Sequence, residues 1–208
     1  MKLFRMLLDI LFPPRSDEAL VQEATHASLG IHAHARAIGA RTAALLPYRA
    51  RLVRACVLEA KFRDSERAQR LLASVLADYL SEWSADHEPF TEASVVLVPV
   101  PLSRERRRER GYNQAERVAR KAAERMPAVA VDLELLVRTR DTLPQTSLDG
   151  AARRKNMQDA FQAVGTPDPG HTYIVFDDVL TTGTTLKAAM EALESAGARR
   201  VYGLALAY

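Results

Sequence analysis

The sequence predicts an α/β protein: a mostly parallel sheet with helices on both faces, preceded by an N-terminal helical segment. Three observations carry this. The runs "ASVVLVPVPLS" (93–103) and "HTYIVFDDV" (171–179) are apolar without polar alternation, as in strands covered on both faces. Each is followed by a helix-like stretch, "NQAERVARKAAERM" (113–126) and "TLKAAMEALESAG" (185–197). Further short apolar runs, "AVAVDLELLVRTR" (128–140) and "RRVYGLALAY" (199–208), complete the strand–helix–strand alternation of crossover units on a parallel sheet.

In chain order, "MKLFRMLLDILFPPR" places Leu3, Leu7, Leu8 and Leu11 on one face of a short helix that Pro13 and Pro14 end. Arg5 and Asp9 break the apolar run and no small-residue cleavage site follows, so it does not read as a secretory signal. Ser16 with Asp17 and Glu18 behind it suits the start of a second helix. The stretch 25–48 is alanine-rich with weak periodicity. From Arg49 to Trp83 two apolar stripes, one through Leu52, Val53, Cys56, Val57 and Ala60 and one from Leu71 to Leu80, predict a helical hairpin. "KFRDS" forms its turn, with Ser65 as a cap. Gly197 ends the last helix. The expected division is an N-terminal segment 1–47 and a main domain 48–208.

Composition excludes several classes. With 48% apolar residues the 208-residue chain folds around a core rather than staying disordered. A net charge of +3 is too mild to mark a nucleic-acid binder. The single Cys56 excludes an internal disulfide and suits a cytoplasmic protein. No stretch of roughly 18 apolar residues is present, so no membrane span is expected.

The chemistry concentrates in "YIVFDDVLTTGTTLKAA" (173–189). A strand ends on Asp177 and Asp178, and a loop of Thr181, Thr182, Gly183, Thr184 and Thr185 enters a helix. Unpaired N–H groups at a helix start, threonine hydroxyls and a glycine that lets the backbone approach suit a phosphate monoester. Two carboxylates beside it would repel a bare phosphate, but they accept hydrogen bonds from a ribose diol. Magnesium, which favours oxygen ligands, would bridge such a diol and a diphosphate. There is no Gly-Lys-Ser/Thr of an ATP-binding loop and no glycine spacing of a dinucleotide site. A solvated acidic turn before a threonine-capped helix is the plain structural alternative.

A second segment, Arg110–Gly111–Tyr112–Asn113–Gln114, offers Arg110 and the amides of Asn113 and Gln114 as a binding edge. The other arginines of 104–110 read as a solvated charged face. A third, 136–161, lies between strands. Arg138, Arg140, Arg153, Arg154 and Lys155 there suit neutralisation of a leaving diphosphate, and Gln145 and Asn156 add amides.

The acid pair with its threonine loop resembles the phosphoribosyl diphosphate (PRPP) motif of type I phosphoribosyltransferases. Adding "VPVPLS" with "RGYNQ", then R-x-R-x-T-x-x-Q from Arg138 and R-x-x-N-x-x-x-A-F from Arg153, the chain over 48–208 resembles the ComF family, which is linked to natural competence. "LEAKF" around Lys61 is a weaker match. The resemblance implies a type I phosphoribosyltransferase-like fold and PRPP bound with Mg2+. It implies a phosphoribosyl group passed to an acceptor that the sequence does not name. Thr181–Thr185 would hold the 5-phosphate, Asp177 and Asp178 the diol, and Arg153 ahead of Arg138 the diphosphate. The rival readings are a non-catalytic PRPP or nucleotide sensor or adaptor in DNA uptake, touching uptake proteins or single-stranded DNA, and a purine or pyrimidine salvage enzyme of nucleoside metabolism. Such proteins usually open with a cysteine zinc module. Here Ser16 and Ala19 stand where C-x-x-C is expected, and His26, His32 and His34 are ligands by type only, so no zinc is expected.

Overall fold

The computed structural model describes residues 16–86, 95–139 and 160–208. Its centre is a six-stranded sheet in the order β1-β2-β8-β7-β3-β4. The strands are β1 (Arg36–Gly39), β2 (Thr42–Leu46), β3 (Val95–Pro99), β4 (Val129–Val131), β7 (Thr172–Val179) and β8 (Arg200–Ala207). All neighbours run parallel except β1, which folds back on β2. A separate antiparallel pair joins β5 (Leu136–Arg138) to β6 (Phe161–Ala163).

Period two sorts the side chains of the sheet. Val95, Leu97, Ile174, Phe176, Leu204 and Leu206 face one core, together with α3 (Arg51–Phe62), α4 (Glu66–Asp86) and α6 (Gln114–Ala123). Val96, Val98, Tyr173, Val175, Val201 and Ala205 face the other, covered by α7 (Thr184–Ser195) and the β5–β6 pair. Burial on both sides is why β3 and the first half of β7 read as unbroken apolar runs. The chain is therefore α/β with helices on both faces of a mostly parallel sheet, as the sequence predicts.

The crossovers position the site. β3 leads through α6 on one face to β4, and β7 leads through α7 on the other face to β8. The strand order thus diverges between the adjacent β3 and β7. A crevice at the carboxyl ends of the strands opens where connections leave in opposite directions, and this is where open α/β sheets bind ligands. The acid pair closes β7 at that point.

The helical hairpin forms as expected, and its turn is tightly tied. Asp64 has a φ of 51°, and its N–H donates to the Tyr112 hydroxyl at 2.8 Å, which itself donates to the Ala60 carbonyl at 3.0 Å. The Ser65 hydroxyl accepts from the Ala68 N–H at 3.4 Å.

The N-terminal segment departs from expectation. α1 (Ser16–Glu23) and α2 (His26–Gly30) are helical, the latter closed by a Thr25–Ser28 capping box. Residues 36–46, however, form a β-hairpin, and β2 pairs with β8 along Thr42–Gly203 to Leu46–Ala207. The expected division after residue 47 therefore cuts the sheet itself. The physical reason is close approach: a Cβ on Gly203 would lie 2.8 Å from Met190 Sδ and 3.1 Å from Thr42 Oγ1. A small β2 fits against β8 there, so an alanine-rich stretch of weak propensity is fixed by its neighbour. His26 Nε2 is bonded to Asp78, and no group of three His, Cys, Asp or Glu arranged to hold a metal is found among the described residues. Cys56 is buried on α3, where desolvation pushes its thiol up to about 12. The expected helix over Leu3–Leu11 lies outside the described residues.

Candidate functional site

Asp177 and Asp178 sit at the carboxyl end of β7, beside the end of β3, where the Val100 N–H donates to the Phe176 carbonyl at 2.8 Å. The Asp178 N–H donates to Asp177 Oδ1 at 2.8 Å and the Val179 N–H to Asp178 Oδ1 at 2.7 Å. Burial pushes the Asp177 carboxyl up to about 7, and the adjacent Asp178 charge adds to it, against the backbone bond and the Lys61 charge. Lys61, from the last turn of α3, places Nζ 2.7 Å from Asp178 Oδ2. This contact spans 117 residues. The sequence carried only a weak hint of it.

Beyond the acids the chain turns through the threonine loop into α7. Gly183 is the N-cap, in the left-handed region at φ 74°, and among the described residues no side chain caps the helix. The N–H groups of its first turn are thus left to a ligand or to water. The Lys187 N–H takes up the Gly183 carbonyl at 2.9 Å, and the Thr182 and Thr184 hydroxyls lie 2.9 Å apart. Thr181 and Thr182 are exposed, while Gly183, Thr184 and Thr185 are half-buried. The structure therefore brings together every expected phosphate and diol residue: Asp177, Asp178, Thr181, Thr182, Gly183, Thr184 and Thr185. Two carboxylates form no protein-only metal centre, but their oxygens fit magnesium that takes its remaining ligands from a bound phosphate and water.

The second segment needs correction. Asn113 is buried, caps α6 through the Ala115 N–H at 3.0 Å and donates from Nδ2 to the Val100 carbonyl at 2.9 Å. Gln114 is also buried, with Nε2 donating to the Val57 carbonyl at 3.4 Å and Oε1 without a partner among the described residues. These amides hold the fold rather than a binding edge, because a helix start next to a strand end must satisfy its own donors first. Arg110 stacks over the exposed Phe62 ring at 5.2 Å. The helix that carries it, α5 (Arg104–Arg110), buries nothing, which agrees with a solvated charged face.

In the third segment Arg138 ends β5, its guanidinium 5.3 Å above the Phe161 ring of β6, and the β5–β6 pair packs on α7. Arg140, Gln145, Arg153, Arg154, Lys155 and Asn156 lie outside the described residues.

A family model described as the phosphoribosyl transferase domain matches residues 108–207, which contain the site. Competence protein F of Haemophilus influenzae is 30% identical over 151 residues, 71% of this chain and 65% of that protein. The DNA utilization protein YhgH of Escherichia coli K12 is 33% identical over 105 residues, 50% of this chain and 45% of its own length. Competence protein ComFC of Bacillus subtilis is 28% identical over 128 residues, 60% and 49%. The chain thus spans about half to two thirds of the length of these relatives. A solved hypoxanthine phosphoribosyltransferase from Staphylococcus aureus is similar with a TM-score of 0.40 at 13% identity, over 66% of this chain and 61% of that one.

The matched domain, the parallel sheet and the acid pair at its divergence point define a phosphoribosyltransferase-like protein. Within that class the chain is similar to the competence and DNA utilization proteins named above, as a ComF-type protein would be. No helix among the described residues is long and apolar enough to cross a membrane.

Proposed function

We propose that the protein binds the ribose 5-phosphate part of PRPP at the end of β7 and passes the phosphoribosyl group to an acceptor, in a competence-related role. One observation carries this reading. An acid pair at the divergence point of the sheet runs directly into a helix start that no side chain among the described residues caps. The α7 N–H groups and threonine hydroxyls take the 5-phosphate, and the carboxylates take the diol. In the transfer the bond from ribose C1 to the diphosphate breaks, the diphosphate leaves with the bonding pair, and the acceptor supplies the pair for the new bond. Bound magnesium would neutralise the leaving diphosphate. The chain's own task is to fix the ribose and shield it. Arg153 is the expected cation for the diphosphate, with Arg138 behind it. Calorimetry tests the reading: PRPP with magnesium binds, and the double variant Asp177→Asn, Asp178→Asn binds at least about tenfold more weakly. No heat at millimolar PRPP overturns it. Diphosphate release with a panel of nucleobases and amines separates a transferase, salvage enzymes included, from a sensor.

A second reading rests on the face beside the site. α5 carries five arginines, four of them exposed, and the half-buried Arg110 lies over Phe62, which is 59% exposed. Basic residues around an open aromatic suit a single nucleic-acid strand, as an adaptor in DNA uptake would need. Binding of single-stranded DNA that weakens with salt and is lost on neutralising Arg106–Arg108 supports it. Salt-insensitive or absent binding removes it.

A further inference from the structure

We propose that Lys61 is a built-in cation of the ribose phosphate site, balancing the acid pair so that a ribose monophosphate is held without a metal ion. The inference rests on the ribose phosphate reading above and names a residue which that reading does not use.

The geometry is that of a pair withdrawn from water. Lys61 Nζ lies 2.7 Å from Asp178 Oδ2, with side chains 19% and 15% exposed. Such a pair is a poor source of stability, because desolvating both charges offsets most of their attraction. Charge balance at the site gives it a purpose. An acid pair and a dianionic phosphate repel each other in one crevice, the PRPP reading places magnesium at the diphosphate only, and the repulsion calls for a positive charge. Lys61 supplies it from the protein. Its helix packs Val53, Cys56, Val57 and Ala60 into the core, so the ammonium is delivered from a fixed support. Its place in the last turn sets it at the negative end of the α3 dipole, where a cation is favoured.

The pairing also divides the labour of the two acids. Asp178 has Oδ1 on the Val179 N–H and Oδ2 on Lys61, so both its oxygens are engaged inside the protein. Asp177 has Oδ1 on the Asp178 N–H and is the carboxylate that meets the diol. Magnesium then serves the diphosphate of PRPP, and a ligand lacking the diphosphate does without it.

The test is calorimetry of ribose 5-phosphate with the full chain, once in excess EDTA and once in millimolar magnesium. For the wild type the two dissociation constants agree within about twofold. Lys61→Met, which keeps the length and drops the charge, binds about tenfold or more weakly in EDTA, recovers in part with magnesium, and Lys61→Arg keeps most of the affinity. A tenfold gain by the wild type on adding magnesium overturns the proposal, as does a Lys61→Met protein that matches the wild type in EDTA. The wild-type arm needs no variant and stands even if Lys61→Met fails to fold. If the wild type binds no ribose 5-phosphate under either condition, the ribose phosphate reading falls and this proposal with it. If it binds and Lys61→Met is unaffected, only the role of Lys61 falls.

Discussion

Asp177 makes the protein's stability depend on pH. Its folded value near 7 lies above the ordinary aspartate value, so between the two the folded state holds a proton that the unfolded chain has released. The stability this contributes is complete below about pH 4 and is lost as pH rises through about 7. Asp177→Asn keeps an oxygen for the Asp178 N–H and has nothing to ionise. In chelator, its melting temperature should rise relative to that of the wild type as pH goes from 4 to 8, and overtake it. A difference that stays constant over that range would refute the raised titration of Asp177. Lys61 and Asn113 mark where single residues were and were not legible. The ion pair of Lys61 links α3 to β7 across 117 residues, and no local pattern encodes it. Asn113 was visible as a polar residue at a helix start, but a cap and a ligand-binding amide share the same sequence signature.

Among the elements, the β7–loop–α7 unit was legible in full, because strand, acids, glycine and helix follow one another in 24 residues. The β1–β2 hairpin was not. All four residues of β1 are exposed, so it shows no apolar alternation, and β2 is a strand because β8 lies beside it. Two variants probe how helix starts are built. At Gly183 a Cβ would meet only Leu180 Cδ1 at an ordinary 3.7 Å, so Gly183→Ala is penalised by its backbone alone. It should cost about 1 kcal/mol of stability by denaturant titration and weaken phosphate binding further, since the loop must twist out of its left-handed turn. Loss of stability without any effect on binding would detach the loop from the ligand. At α6, Asn113→Ala removes the cap and the donor to Val100 together and should cost about 2 kcal/mol. Asn113→Asp keeps the cap and should cost clearly less; equal losses would show that the tie to Val100 dominates.

For the whole molecule, the two-faced parallel sheet followed from the unbroken apolar runs, whereas the extent of the sheet did not. Its membership is decided by register across distant segments: β2 joins β8, the Tyr48 N–H donates to the Tyr208 carbonyl at 2.7 Å, and the Tyr208 N–H to the Leu46 carbonyl at 3.0 Å. Removing residues 1–47 therefore opens one whole side of β8 and uncovers the face of α3 and α4 that α1 and α2 pack against. The shortened chain should lose its cooperative thermal transition and aggregate. A soluble 48–208 fragment that melts cooperatively near the full-length temperature would restore the division after residue 47.

The place of β8 between β2 and β7 also has a consequence for synthesis. A growing polypeptide emerges in sequence order, and domains assemble as their parts appear. Here β2 is made early, yet its parallel partner is not available until translation has run from residue 46 to residue 200. Through that interval the hairpin has only itself to pair with and β7 has an open flank, so the sheet closes in a late step, when β8 slides into the gap between them. Nascent chains halted before residue 200 should then be held by chaperones and cut readily by protease at 36–46, and those halted beyond β8 should not.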